Sequence, residues 1–222
     1  TGKTALSLGM TDISLASLQE AVLTDPDDLP ARHVLAKAYM EANLKDEGFA
    51  TARSAMQIAP TEIENVLWYS DFMSEHENAR EAIQILKDTI HLMPEEKALY
   101  LTLARTYVNL NQIEDTKETL NRMLALEDIE TEEYVNVANL YLHLNEADEA
   151  SRIIKKAISD NPSPDFAESR DLIYSVLKLG DSAAALQLIS DLEPALQPNP
   201  AYPLLKSDVL AANQQFLPAL GV

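Results

Sequence analysis

Prolines recur along this chain at a fixed interval. Four of them are spaced 34, 34 and 68 residues apart, at Pro26, Pro60, Pro94 and Pro162. Asp128 occupies the vacant position in the series, so the period persists through five successive junctions. Proline ends a helix because it lacks a backbone donor and restricts the residue before it. A period of 34 residues therefore predicts a tandem array of short structural units without a single globular core.

Other columns follow the same period when the proline is numbered as position 32. Position 8 is small in each unit: Ala36, Ser70, Ala104 and Ala138. Position 20 is also small: Ser14, Gly48, Ala82, Thr116, Ala150 and, after one inserted residue, Ala185. Apolar residues recur at three- and four-residue intervals within each half unit, which is helical spacing. Because small side chains let two helices approach closely, each unit is predicted to contain two antiparallel helices, A and B.

The ends of these helices have their own signals. Helix A is predicted to end at residues that tolerate a turn: Asn43, Asn111, Asn145 and the Gly180-Asp181 pair. Acidic residues begin the next helix A: Asp27, Asp28, Glu62, Glu95, Glu96 and Glu130. There they cap free N–H groups and favour the positive end of the helix dipole.

These columns resemble the tetratricopeptide repeat, a 34-residue helix–turn–helix unit, over nearly the whole chain. The resemblance implies an all-α fold, an α-α superhelix or solenoid of tandem units. Two departures are visible. The tryptophan that the family has at position 4 is replaced by Arg32, Val66, Tyr100 and Tyr134, and the glycine at position 8 is mostly alanine.

The frame divides the chain 1–222 into one solenoid with a truncated first unit and a terminal helix. We expect a truncated unit at 1–26, full repeats at 27–60, 61–94, 95–128 and 129–162, an irregular repeat at 163–198 and a terminal helix or cap at 199–222. Prolines at positions 194, 198, 200 and 203 are expected to shorten the last helix B.

Composition excludes several classes of protein. With 36 acidic and 17 basic residues the net charge is −19, which repels nucleic-acid backbones and anionic membrane surfaces. A hydrophobic content of 46% argues against wholesale disorder. The absence of cysteine excludes a disulfide scaffold, a Cys-ligated zinc site and a Cys nucleophile. No apolar run approaches the ~18 residues that span a bilayer, and the N-terminus lacks a signal-peptide layout.

No motif indicates catalysis, a cofactor or a metal. Thr1-Gly2-Lys3-Thr4 matches the tail of a phosphate-binding loop, but the upstream glycine and strand are missing, and Gly2 falls on position 8. The histidines lack the spacing of metal ligands, and the acidic stretch 127–133 lacks the turn glycine of a calcium loop. No serine, histidine and carboxylate set has the context of a nucleophile, although a triad assembled only in space would leave no such trace.

The resemblance also implies where a partner binds. In this family helix A lines the concave face, and positions 2, 5, 6, 9, 12 and 13 point into it. The candidate partner-binding residues are His33, Lys37, Trp68, Asp71, Thr102, Arg105, Asn109, Asn136, Asn139, His143, Arg170 and Tyr174. Further positions on this face hold Val34, Glu41, Glu64, Leu67, Glu75, Leu101, Glu132, Val135, Asp171 and Lys178. The mixed charge does not suggest a uniformly basic cradle.

Three details of this face bear on how a partner binds. Trp68, the single tryptophan, either anchors a partner or packs between the first two A helices. Asn136 and Asn139, expected near Arg105, are suited to hold an extended peptide through their amides. Some family members clamp a C-terminal carboxylate with Lys and Asn at fixed positions. This chain has His33, Lys37, Trp68, Ala98 and Thr102 there, so such a clamp is not expected.

The leading hypothesis is a non-catalytic scaffold that binds a peptide or protein segment of unknown identity in the groove. The alternatives are a regulatory or targeting arm of a larger enzyme, for example a glycosyltransferase, and a self-assembling adaptor. The arm is suggested by a chain that begins inside a helix A. An end-to-end homodimer is expected if the truncated first unit leaves Leu6, Leu8, Ile13 and Leu18 without a partner helix. The sequence leaves the compartment open: a cytoplasmic protein is favoured over a periplasmic or exported one, which would need a signal upstream, and the glutamate-rich, cysteine-free composition suggests a bacterial source.

Overall fold

The computed structural model describes residues 11–161 and 164–216. Within these residues the chain forms twelve helices and no strand, so the expected all-α fold is confirmed. The helices are α1 Thr11–Thr24, α2 Leu29–Glu41, α3 Lys45–Ile58, α4 Ile63–Glu75, α5 Ala79–Leu92, α6 Lys97–Asn109, α7 Ile113–Leu124, α8 Thr131–His143, α9 Ala147–Asp160, α10 Phe166–Lys178, α11 Ser182–Leu196 and α12 Tyr202–Phe216.

Each predicted full repeat contains two of these helices. The even-numbered helices from α2 to α10 correspond to helix A, and the odd-numbered helices from α3 to α11 correspond to helix B. The helices of a pair pack on one another, as in α2 with α3 and α8 with α9, and consecutive pairs also touch, as in α3 with α4 and α8 with α10. The chain divides into two compact units, one ending at Thr106 and one beginning at Tyr107, inside α6.

The turns between helices A and B occur at the predicted residues. Asn43, Asn111 and Asn145 have φ angles of 60°, 55° and 60°, and Gly180 has a φ of 81°. This left-handed conformation closes the end of a helix, and asparagine and glycine tolerate it best. In the second repeat the same place is taken by Glu77, with a φ of 65°. That position has no sequence signal because glutamate is not a usual left-handed residue.

The starts of the A helices follow the acidic pattern only in part, because Glu62 makes no side-chain capping hydrogen bond at the start of α4. The Asp28 carboxylate accepts a hydrogen bond from the Ala31 N–H at 2.8 Å, which caps α2. Asp165 does the same for the Glu168 N–H at 2.9 Å, and the Glu168 carboxylate accepts from the Asp165 N–H at 2.8 Å. This reciprocal pair is a capping box, and it fixes where α10 begins.

The small columns lie in the interior of the helix pairs. Ala36, Ala82, Ala138 and Ala150 are fully buried, as the close approach of A and B requires. Gly48 shows how tight this contact is, because a Cβ added there would lie 2.5 Å from the Met40 sulfur. Large apolar side chains fill the space around these contacts, including Tyr69, Leu86 and Tyr141.

Two expectations about the ends of the chain are wrong. The last helix B is not shortened: α11 spans Ser182–Leu196 and includes Pro194, because one proline removes a single backbone donor and Gln197 N still donates to the Glu193 carbonyl at 2.9 Å. Leu18 is not left without a partner. It is 4% exposed and packs in a cluster with Leu15, Leu35 and Ala38, because α1 lies against α2.

The rest of the N-terminal prediction falls outside the described residues. Leu6, Leu8 and the Thr1–Thr4 motif lie there, as does the side chain of Ile13. End-to-end association therefore stays a prediction. None of the described helices is both long enough and apolar enough to cross a bilayer.

Candidate functional site

Two successive A helices of the second unit border an open cleft, which we call the α8/α10 cleft. Its volume is about 610 Å³. Helix α8 contributes Val135 and Asn139, and α10 contributes Asp171, Tyr174 and Lys178 together with Ser175 and Leu177. Residues three and four apart share one face of a helix, so 171, 174, 175 and 178 project toward the same side. The cleft thus gathers an amide, a carboxylate, a phenol and an ammonium group around an apolar floor.

Hydrogen bonds fix the polar groups of this cleft. Lys178 Nζ donates to Asn139 Oδ1 at 3.1 Å and so links α10 to α8. The Tyr174 hydroxyl donates to Asp208 Oδ2 at 2.7 Å, which holds the ring against α12. This hydrogen bond to a carboxylate, with some burial, raises the pKa of Tyr174. The phenol therefore stays neutral and remains a donor at physiological pH.

A second opening adjoins the first. It has a volume of about 490 Å³ and is lined by Leu142, His143, Asn145 and Ala147, together with Asn139 and Lys178. Asn139 and Lys178 therefore belong to both openings, and their hydrogen bond lies at the border. The two openings therefore adjoin one another along α8 and α10.

Aromatic rings stack on the A helices of the first unit. The rings of His33 and Trp68 lie 3.7 Å apart and 10° from parallel, and Trp68 lies 5.1 Å from Phe72. The interpretation that Trp68 packs between the first two A helices is confirmed, because its neighbour His33 lies on α2. The indole is only partly buried, so an edge remains accessible.

His33 is also held by a hydrogen bond. Asn65 Nδ2 donates to the Ala55 and Ala59 carbonyls at 3.0 and 2.8 Å, which leaves its Oδ1 as an acceptor. His33 Nε2 lies 2.8 Å from that oxygen and is therefore the donor. Burial lowers the pKa of His33, although the hydrogen bond to Asn65 partly opposes this.

The remaining predicted residues divide into accessible and inaccessible ones. Lys37, Asn109, Asn136 and His143 are exposed. Arg170 pairs with its neighbour Asp171 at 2.7 Å and so lies beside the α8/α10 cleft. Thr102 is a correction: it is 4% exposed, because the small side chain on α6 is enclosed by larger neighbours, and it cannot contact a partner.

Asp71 and Arg105 form an exposed ion pair in the first unit, with 3.6 Å between Oδ1 and a guanidinium nitrogen. Burial raises the pKa of Asp71, and the Arg105 charge opposes the increase. The expected proximity of Arg105 to Asn136 and Asn139 stays a prediction, since those residues belong to the second unit.

Sequence reasoning missed the side chains that support these surfaces. Asp208 lies 34 residues after Tyr174, one repeat further on, so the period itself could have suggested this contact. No comparable signal existed for Asn65, which looks like any polar residue in a helix but is 1% exposed. Among residues 11–161 and 164–216, no group of three or more His, Asp and Glu side chains is arranged to hold a metal ion.

Comparisons with known proteins agree on the repeat. Two family models described as tetratricopeptide repeat match residues 73–132 and 134–164. The TPR repeat-containing protein YvcD of Bacillus subtilis is 27% identical over 135 residues, which are 60% of this chain and 28% of that protein. The match thus spans little more than a quarter of the relative.

Solved structures show the same fold. A tetratricopeptide repeat protein from Parabacteroides merdae superimposes with a TM-score of 0.53 at 13% identity, covering 94% of this chain and 81% of that one. PilW, a widely conserved type IV pilus biogenesis factor, gives a TM-score of 0.53 at 18% identity, covering 94% of both chains. At these identities the likeness concerns the fold alone. With its 34-residue period and its paired helices, the chain carries tetratricopeptide repeats at residues 73–132 and 134–164.

Proposed function

We propose that this protein is a non-catalytic interaction module that binds a segment of a protein partner on the surface formed by its A helices. The observation that carries the proposal is the α8/α10 cleft, where Asn139, Tyr174 and Lys178 converge around an open space of about 610 Å³. A fold of this family hosts many roles, so the proposal rests on the groups in the cleft.

The chemistry of the cleft suits a peptide backbone. The Asn139 amide has both donors and an acceptor, and the Lys178 ammonium donates to carbonyl or carboxylate oxygens. Val135 and Leu177 offer apolar contact beside these polar groups. An extended segment of about three residues spans roughly 10 Å, so a short stretch of a partner would contact both helices.

The same side chains are poorly suited to catalysis. The Asp171 carboxylate is engaged by Arg170, with 2.8 Å between its Oδ1 and the guanidinium Nε. The Ser175 hydroxyl donates to the Asp171 carbonyl at 2.8 Å, so no general base activates it. This supports a binding role without a chemical step.

The first unit has a candidate contact area of its own. Lys37, Asp71 and Arg105 are accessible charged groups on its A helices, and the partly exposed edge of Trp68 is available for apolar contact. Because Trp68 is the single tryptophan, its fluorescence reports on this area alone. An emission spectrum that does not change when the partner binds would remove Trp68 from the proposed surface.

The proposal is tested with peptides selected from a random 12-residue display library against the full chain. We expect the double variant Asn139→Ala/Lys178→Ala to bind the selected peptides at least tenfold more weakly in fluorescence anisotropy. The matched control is Lys45→Ala/Gln57→Ala, which removes the same kinds of group from exposed positions on α3. If both double variants lose affinity equally, or if Asn139→Ala/Lys178→Ala loses none, the cleft is not the binding site.

A further inference from the structure

A second cleft lies between α9 and α11, both of which are B helices, and of its lining residues only Ala147 also borders the surface described above. Its volume is about 260 Å³. The floor consists of apolar side chains: Ile154, Ile158, Val176, Leu179 and Leu188. This space is below the ~300 Å³ usual for a small-molecule pocket, so it suits a single large apolar side chain of a partner.

The charged residues at the rim are ordered along the cleft. Asp148 lies in the first turn of α9, and Asp181 directly precedes α11, so both carboxylates lie at the ends where these helices begin. Lys155 lies seven residues after Asp148, about 10 Å further along α9 at the rise of an α-helix. The rim is therefore acidic at one end and basic further along.

Within the described part of the chain, the charged residues of α9 that line the cleft lack ion-pair partners, whereas the other charged residues of α9 are paired. Arg152 pairs with Glu149 at 2.8 Å, and Lys156 pairs with Asp160, so these groups are neutralised within α9. Asp148 and Lys155, in contrast, have no ion pair in the part of the chain that the structure describes. Helix α9 thus leaves both signs of charge uncompensated only beside the apolar floor.

We propose that the α9/α11 cleft binds an amphipathic helix of a partner protein. The partner helix carries a basic residue over Asp148 and Asp181, an apolar side chain over the floor, and an acidic residue next to Lys155. A groove between two helices accepts the ridge of a third helix, and a spacing of about 10 Å corresponds to two helical turns. The recognition pattern is therefore basic at i, apolar at i+4 and acidic at i+7.

The test uses two synthetic 21-residue helical peptides with the 222-residue chain. One carries Lys, Leu and Glu at i, i+4 and i+7, and the other has Lys and Glu exchanged. Since the two peptides have the same net charge, general attraction to the acidic protein cancels in the comparison. We expect a dissociation constant below about 100 µM for the first peptide and binding at least tenfold weaker for the second.

Variants of the protein test whether the difference in affinity between the two peptides arises at the α9/α11 cleft. Asp148→Lys/Lys155→Glu keeps the net charge and changes only exposed residues, and we expect it to reduce the tenfold preference to less than threefold. Lys45→Glu/Glu47→Lys is the matched control on α3 and should keep the full preference. Lys178→Ala should also keep it, which separates this cleft from the α8/α10 cleft.

Three results would overturn the proposal. Equal binding of both peptides would refute the charge order, and dissociation constants above about 1 mM for both would refute the site. If Asp148→Lys/Lys155→Glu instead abolishes a dimer of the chain in light scattering, the occupant is a second copy.

Discussion

A hydrogen-bonded network around Glu81 joins three helices of the first unit and makes a quantitative prediction. Its carboxylate accepts from Arg53 Nε and a terminal guanidinium nitrogen at 3.0 and 2.8 Å and from Asn78 Nδ2 at 2.7 Å. The Tyr69 hydroxyl donates to the same group. Arg53 lies on α3, Tyr69 on α4 and Glu81 on α5, so the network crosses from one repeat to the next. The perturbation is Glu81→Gln, which removes the charge and keeps a carbonyl acceptor.

The size of the effect follows from the pKa of Glu81. The Arg53 guanidinium, followed by the donors Tyr69 and Asn78, lowers this pKa from 4.5 to about 2. Without solvent screening that difference would correspond to about 3 kcal/mol of stability. The Arg53 side chain is 48% exposed and that of Glu81 is 30% exposed, so screening reduces the contribution to about 1–2 kcal/mol.

The sign of the pH dependence follows from the lowered pKa. The ionised carboxylate stabilises the folded state, so its contribution is complete above about pH 4.5 and is lost as the pH falls toward 2. We therefore expect Glu81→Gln to lower the free energy of unfolding by about 1–2 kcal/mol at pH 7. The difference from the wild type should shrink steadily between pH 4.5 and pH 2.

Urea denaturation monitored by Trp68 fluorescence measures the free energy of unfolding of the first structural unit, because Trp68 is adjacent to Tyr69 in that unit. The matched control is Glu75→Gln, an exposed acid at the end of α4, which should change stability by less than about 0.5 kcal/mol. A loss below about 0.5 kcal/mol for Glu81→Gln, or a difference that does not vary between pH 4.5 and pH 2, would refute the reasoning.

Four further predictions follow from the helix ends and the aromatic stack. Glu77→Gly should raise the free energy of unfolding by about 0.5–1 kcal/mol, because the left-handed φ of Glu77 suits glycine. Gly180→Ala should lower the free energy of unfolding by about 1 kcal/mol for the opposite reason. Thermal denaturation shows whether each variant is more or less stable than the wild type. Asp165→Ala should cost about 1 kcal/mol through loss of the cap of α10, and helix-resolved hydrogen exchange should locate the loss there. Because burial lowers its pKa, the imidazole of His33 should titrate below pH 6.5 in NMR. Acidification through that pH should therefore lower the stability of the first unit. A titration midpoint at or above 6.5 would contradict the buried stack.

Sequence reasoning succeeded where a local rule or the period governs the chain. The left-handed turns at Asn43, Asn111 and Asn145 depend on which residues tolerate a positive φ, and that preference is a property of single residues. The buried alanine columns follow in the same way from a repeat in which A and B must approach closely. Glu77 was not predicted because the surrounding repeat imposes its conformation.

The candidate surface was predictable only as a list of positions. The A-helix register identified Asn139, Tyr174 and Lys178, and the structure brings these three together in the α8/α10 cleft. The same register also included Thr102, which is buried. Periodicity gives the direction of a side chain, whereas its accessibility depends on the size of the residues around it.

By itself, the sequence determined the class of fold, the residues at most of the turns and the resemblance to the tetratricopeptide repeat, because these depend on spacing and residue size within one unit. Only the tertiary structure decided which polar groups meet. Asn139 and Lys178, Tyr174 and Asp208, and Arg53 and Glu81 lie on different helices, and their distances depend on how the helices pack. The physical reason is that a hydrogen bond requires a separation of about 3 Å between side chains far apart in the chain, and no one-dimensional pattern contains that distance.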